Sequence, residues 1–144
     1  MSDVKEACFE ELGLGQSCVT HNRVTEEDII KFSEVTGDVN PIHLDAAYAA
    51  ESVFGERIAH GMISAGYISA IFGTTFPGPG TIYLSQSLKF RAPVKINDMV
   101  DTTVTVTELN EKRKRVTLSC ECKVGDTVVL TGEALLMVPS PKTA

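Results

Sequence analysis

The segment GMISAGYISAIFG, residues 61–73, carries small and apolar residues nearly all round a helical wheel. A helix without a polar face has to be buried on most sides, so the rest of the chain must wrap it. The material for that wrapping follows from Thr81 onward, where the pattern changes to TIYLSQSLKF, MVDTTVTVTEL, RVTLSCECKV and TVVLTGEALLMV. These runs are rich in Thr and Val and alternate in polarity, which suits a sheet with one buried face. The separators PVKIND, NEK and VGD carry turn residues. Helices followed by strands predict an α+β architecture, a largely antiparallel sheet packed on one long helix.

Upstream, residues 16–24 read as a first strand. A marked helix start comes next: Thr25 as N-cap, Asp28 in the capping-box position and Val24 opposite Ile29 as a staple. That helix should run through Ile29, Ile30, Phe32 and Val35 and stop at Gly37, the residue type best able to take the left-handed conformation at a helix end. Asp45 can cap a short helix through DAAYAAES. At 144 residues, one domain over residues 1–144 is expected.

Several function classes drop out. The most apolar stretch, residues 58–76, is interrupted by His60, Ser64, Gly66, Ser69 and other small or polar residues, so it falls short of the roughly 20 apolar residues of a membrane span. The start, MSDVKEACFEELGLG, has neither a basic, apolar leader nor an Arg-rich transit composition, and the end, PSPKTA, matches no retention or peroxisomal tail. A net charge of −6 speaks against nucleic-acid binding, which needs a clustered positive face; the basic run at residues 112–115 reads as a solvated hairpin tip. Of the four cysteines, Cys120 and Cys122 stand two apart in a strand and so point to one face, and no CxxC pair exists. Reduced thiols in a cytoplasmic compartment, or in a mitochondrial matrix, are expected rather than a zinc site.

Two stretches could carry chemistry. In GDVNPIHLD, residues 37–45, Pro41 pushes Asn40 out of helical geometry, and a folded-back loop can bring Asp38 and His43 to one water. A carboxylate and an imidazole at one water can take up and return a proton. From spacing alone, Asp38 as a cap and His43 as a hydrogen-bonded loop histidine fit as well. In RIAHGMISAG, residues 57–66, Gly61 stands where a helix should begin. Unpaired N–H groups at such an end attract negative charge, and a residue without a side chain lets a ligand approach closely. The alternative is that Gly61 only permits tight packing and His60 only caps the helix.

The run FSEVTGDVNPIHLDAAYAAESVFGERIAHGM resembles the hydratase-2 signature of the MaoC-like family of (R)-specific enoyl-CoA hydratases and 3-hydroxyacyl-thioester dehydratases, and PGPGTIYLSQSLKFRAPVKINDMV is similar to the same family farther on. The resemblance implies a hot-dog fold, an antiparallel sheet around a long central helix. It also implies a homodimer with an acyl tunnel near the subunit interface. It places the family's water-activating pair on Asp38 and His43, the backbone donor for the thioester oxygen on Gly61, a supporting serine on Ser69 and the loop-ordering asparagine on Asn40. The implied activity is reversible hydration of trans-2-enoyl-CoA to (R)-3-hydroxyacyl-CoA. That reaction calls for no metal or redox cofactor.

Alternatives on the same fold are a 3-hydroxyacyl-[acyl-carrier-protein] dehydratase, a thioesterase and a non-catalytic acyl-thioester binding subunit. Met62, Ile63, Tyr67, Ile68, Phe72 and Phe76 either line the tunnel or are plain core. Lys89, Arg91 and Lys95 either meet the phosphates of coenzyme A or are solvated surface.

Overall fold

The structure is a computed structural model in which residues 4–140 are described. The last four residues of the C-terminal PSPKTA lie outside them, as do the first three residues of the chain. The described chain runs β1 (Ser17–Arg23), α1 (Glu26–Thr36), α2 (Pro41–Leu44), α3 (Ala46–Ala50), α4 (Gly61–Ala70) and then β2 (Ile82–Phe90), β3 (Met99–Asn110), β4 (Arg115–Val124) and β5 (Thr127–Met137).

The start of α1 follows its sequence signals. Thr25 accepts a hydrogen bond from the Asp28 N–H, and the Asp28 carboxylate accepts one from the Thr25 N–H. Gly37 ends the helix at φ 79°. The central helix is less regular than expected, because α4 passes at Ile71 into a π-helical turn reaching Thr75. Thr74 spends its hydroxyl on the Ala70 carbonyl there, the kind of side-chain competition that loosens an α-helical ladder.

All five strands join one antiparallel sheet in the order β1-β3-β4-β5-β2. Their inward residues alternate with outward ones, so Val100, Val104 and Val106 of β3, Leu118 of β4 and Leu130 and Leu136 of β5 meet Ile63, Ile68 and Phe72 from the central helix in one core. Cys120 and Cys122 sit on that inner face as free thiols, and burial pushes the Cys120 thiol up to about 11. The sheet is tightest at Gly132, where a Cβ would lie 2.0 Å from the Ser87 carbonyl oxygen of β2. Only glycine lets the two strands approach so closely. Among the described residues no helix is long and apolar enough to cross a membrane.

Candidate active site

Asp38 and His43 lie between α1 and α3, but the stretch is not simply a loop. Asn40 takes φ −54° and ψ 125°, its side-chain oxygen accepts from the Ile42 N–H, and Pro41 opens the single turn α2. Proline suits that place because its fixed φ fits a helix start and its missing N–H would have no partner there. Asn40 thus works as a helix cap, and the turn carries His43 inward, where it is buried.

The His43 Nδ1 lies 2.8 Å from the Ile58 carbonyl oxygen. A carbonyl only accepts, so Nδ1 holds the proton of the neutral ring and Nε2 presents a lone pair. Ile58 also donates its N–H to the Ile42 carbonyl at 3.3 Å, so one residue's main chain grips the α2 turn twice. Arg57 adds a third hold: its Nε donates to the His43 carbonyl at 2.8 Å while its Nη1 meets Glu26 of α1 at 2.7 Å.

His60 was expected at most to cap α4, yet its side chain makes no capping bond. Its ring stacks on His43 with centroids 3.8 Å apart and an interplanar angle of 29°. Its Nε2 donates toward the Asp38 carbonyl at 3.1 Å and lies 3.0 Å from Ser33 Oγ. His60 therefore joins the backbone of Asp38 to the ring of His43. Burial, chiefly, holds its pKa below the ordinary value, with the neighbouring His43 acting in the same direction.

Asp38 itself is exposed, and among the described residues its carboxylate accepts only the Asn40 N–H, at 3.3 Å. Ligand atoms of Asp38, His43 and His60 come within 4.8 Å of one another, which raises the question of a metal ion. Coordination needs the ion in the plane of each imidazole, along a nitrogen lone pair. Here the two rings are stacked face to face, and one nitrogen of each already points at a backbone carbonyl. The arrangement suits proton transfer better than ligation.

His43 and Gly61 face a shared cavity of about 420 Å³ whose apolar wall includes Ile58, Val94 and Leu130. Gly61 is the first residue of α4, so its N–H has no acceptor within the helix; no hydrogen bond to it occurs among the described residues. A Cβ at Gly61 would come 2.6 and 2.7 Å from atoms of the Phe90 ring, which also lines the cavity. Met62, exposed, borders this cavity and a second trough of about 540 Å³ running along α4 and β2. Ser69 lies in that second trough, two turns beyond Gly61, and makes no hydrogen bond to Asp38 within the single chain. Ile63 belongs to the core and borders a third hollow beside Tyr67. Ile68 and Phe72 are plain core, while Tyr67 and Phe76 pack against it partly buried.

An antiparallel sheet holding one central helix defines a hot-dog protein, and an imidazole and a free helix-end N–H face one cavity at the start of that helix with a carboxylate close to the imidazole. Residues 12–128 match the MaoC like domain, and the chain belongs to that family. It is 48% identical over 144 residues to the 3-hydroxybutyryl-CoA dehydratase of Methylorubrum extorquens, covering 100% of this chain and 92% of that one. It is 51% identical over 132 residues to the (R)-specific enoyl-CoA hydratase of Rhodospirillum rubrum, with 92% of each covered. The solved structure of an R-hydratase from Pseudomonas aeruginosa superposes with a TM-score of 0.89 at 41% identity, covering 98% of this chain and 94% of that one.

Proposed function

We propose that this protein, as one MaoC-like domain over residues 1–144, is an (R)-specific enoyl-CoA hydratase, adding water reversibly to trans-2-enoyl-CoA to give (R)-3-hydroxyacyl-CoA. The observation that carries the reading is that His43, its Nδ1 held by the Ile58 carbonyl, and the unbonded Gly61 N–H face one apolar-walled cavity, with the Asp38 carboxylate within 4.8 Å of the histidine pair.

The chemistry follows from those groups. Asp38 and His43 hold a water and take one of its protons as its oxygen bonds to the β carbon. The electron pair of the C=C bond moves toward the thioester carbonyl, and the enolate oxygen accepts the Gly61 N–H. The proton then returns from the pair to the α carbon, which restores the carbonyl. Base and acid are roles assigned to Asp38 and His43 as a pair. Asn40, by capping α2, keeps the two at a fixed separation, and Met62, with Ile63 behind it, forms the acyl-facing wall.

The protein acts as a homodimer in this reading. Strand β2 ends the sheet with one unpaired edge, and Ile82, Tyr83 and Leu84 on it are exposed beside the trough that contains Ser69. Pairing two such edges would cover that apolar surface and bring Ser69 near a neighbouring copy's site. Sedimentation equilibrium should give a dimer mass, and Leu84→Glu should shift it toward monomer. The activity itself is tested by incubating the protein with crotonyl-CoA and following the loss of conjugated enoyl absorbance. Turnover that survives both Asp38→Asn and His43→Ala would refute the mechanism. The acyl-carrier-protein alternative is separated by comparing rates for one acyl group on the two carriers.

A further inference from the structure

Hydration of a coenzyme A thioester needs a grip on the carrier as well as on the acyl group, and the three cations in LKFRAPVK are not equivalent. Lys95 is held by the Glu56 carboxylate at 3.1 Å. Lys89 lies on β2 outside the wall of the catalytic cavity. Arg91 differs from both. It lines that cavity, and among the described residues it is the only permanently charged side chain that does so.

Its pose is set from two sides. The Arg91 N–H donates to the Val129 carbonyl at 2.8 Å, and its Nε donates to Thr131 Oγ1 at 3.1 Å. No carboxylate pairs with it among the described residues, whereas Arg57 is paired with Glu26 and Lys95 with Glu56. The terminal nitrogens are left free in the fork that binds phosphate oxygens in pairs. Arg91 also follows directly on Phe90, whose ring rests against Gly61, and it is an exposed residue on the wall of the cavity that Gly61 faces. A thioester held at Gly61 would share that cavity with the guanidinium.

We propose that Arg91 is a carrier-binding residue that pairs with a phosphate on the pantetheine arm of the thioester. The inference rests on the hydratase reading above. Thr131 is its positioning residue, aiming the guanidinium rather than touching the ligand.

The test compares kcat/KM for crotonyl-CoA with kcat/KM for crotonyl-N-acetylcysteamine, which has the same reacting group and no phosphate. Their ratio cancels any loss of folded protein. In Arg91→Ala the ratio should fall about tenfold or more, the size expected for one lost charge-assisted pair. Arg91→Lys should restore part of it, since a point charge replaces a fork. Lys95→Ala should leave the ratio within about twofold, as for other exposed ion pairs. Crotonyl-phosphopantetheine locates the phosphate: a parallel fall assigns Arg91 to the phosphate next to the pantetheine, and a fall for crotonyl-CoA alone assigns it to those of the nucleotide. A ratio unmoved in Arg91→Ala, in a protein that hydrates both thioesters, overturns this inference alone. A wild-type protein that hydrates neither overturns the hydratase reading and takes this one with it.

Discussion

Replacing Gly61 with alanine tests how closely the helix end must be approached. The added methyl would sit 2.6 and 2.7 Å from two carbons of the Phe90 ring and 3.3 Å from a third, where carbon atoms rest at roughly 3.5–4.0 Å. The backbone of Gly61 is fixed as the first residue of α4, so the ring must retreat by about 1 Å. Phe90 is 55% exposed and can swing, so the cost to folding should stay near ~1 kcal/mol. Its ring nevertheless lines the cavity beside His43, and a displacement of that size next to reacting atoms costs about 100-fold in rate. Steady-state hydration of crotonyl-CoA by Gly61→Ala should therefore lose about 100-fold in kcat/KM, with a thermal midpoint close to wild type. In the double variant Gly61→Ala/Phe90→Leu the smaller side chain should recover part of the loss. Activity of Gly61→Ala within about twofold of wild type, against that expected 100-fold loss, would refute the claim that the thioester oxygen sits against this N–H.

Asp38→Asn and His43→Ala should each lower kcat by about 100-fold or more, and the double variant should be little worse than either single one because the pair acts as a unit; clearly additive losses would contradict a shared water. Gly132→Ala should destabilise by ~3 kcal/mol, since the methyl meets the Ser87 backbone carbonyl at 2.0 Å rather than a movable side chain; calorimetry should show a midpoint lower by about 10 °C. Burial lowers the pKa of His60 from 6.5 in the folded protein, so as pH falls through that value the unfolded chain gains a proton that the folded one resists, and stability declines. In His60→Gln, urea unfolding between about pH 8 and pH 5 should show a shallower decline; an identical slope would contradict a neutral, buried His60.

The regular elements were legible because local physics decides them. Thr25, Asp28 and Gly37 mark both ends of α1, and the alternating runs fall on strands within a residue or so, RVTLSCECKV matching β4 throughout. The featureless wheel of the central helix predicts burial on most sides, yet in the single chain only the stripe of Ile63, Ser64, Ile68, Ile71 and Phe72 is buried while Met62, Gly66, Ser69 and Ala70 stay exposed. The π-helical turn after Ala70, where Thr74 bonds the Ala70 carbonyl, gave no sign either. The sheet order β1-β3-β4-β5-β2 depends on long-range pairing that no local pattern encodes. At the site, Asp38, His43 and Gly61 stood out by residue type and spacing. His60 was passed over because a histidine before a helix looks like a cap, and only its stacking on His43 distinguishes it. Arg91 looked like any of its neighbouring cations until their partners were known.

The double grip of Ile58 on the α2 turn has a consequence for anyone mapping this enzyme by mutation. Both contacts use the peptide groups, the N–H to Ile42 and the carbonyl to His43, so every side chain except proline leaves them standing. An alanine scan would score position 58 as little more than apolar lining. The atom that sets the tautomer of the central imidazole is invisible to ordinary genetics, and it would come to light only when the peptide carbonyl itself is weakened, for example by an amide-to-ester exchange between residues 58 and 59.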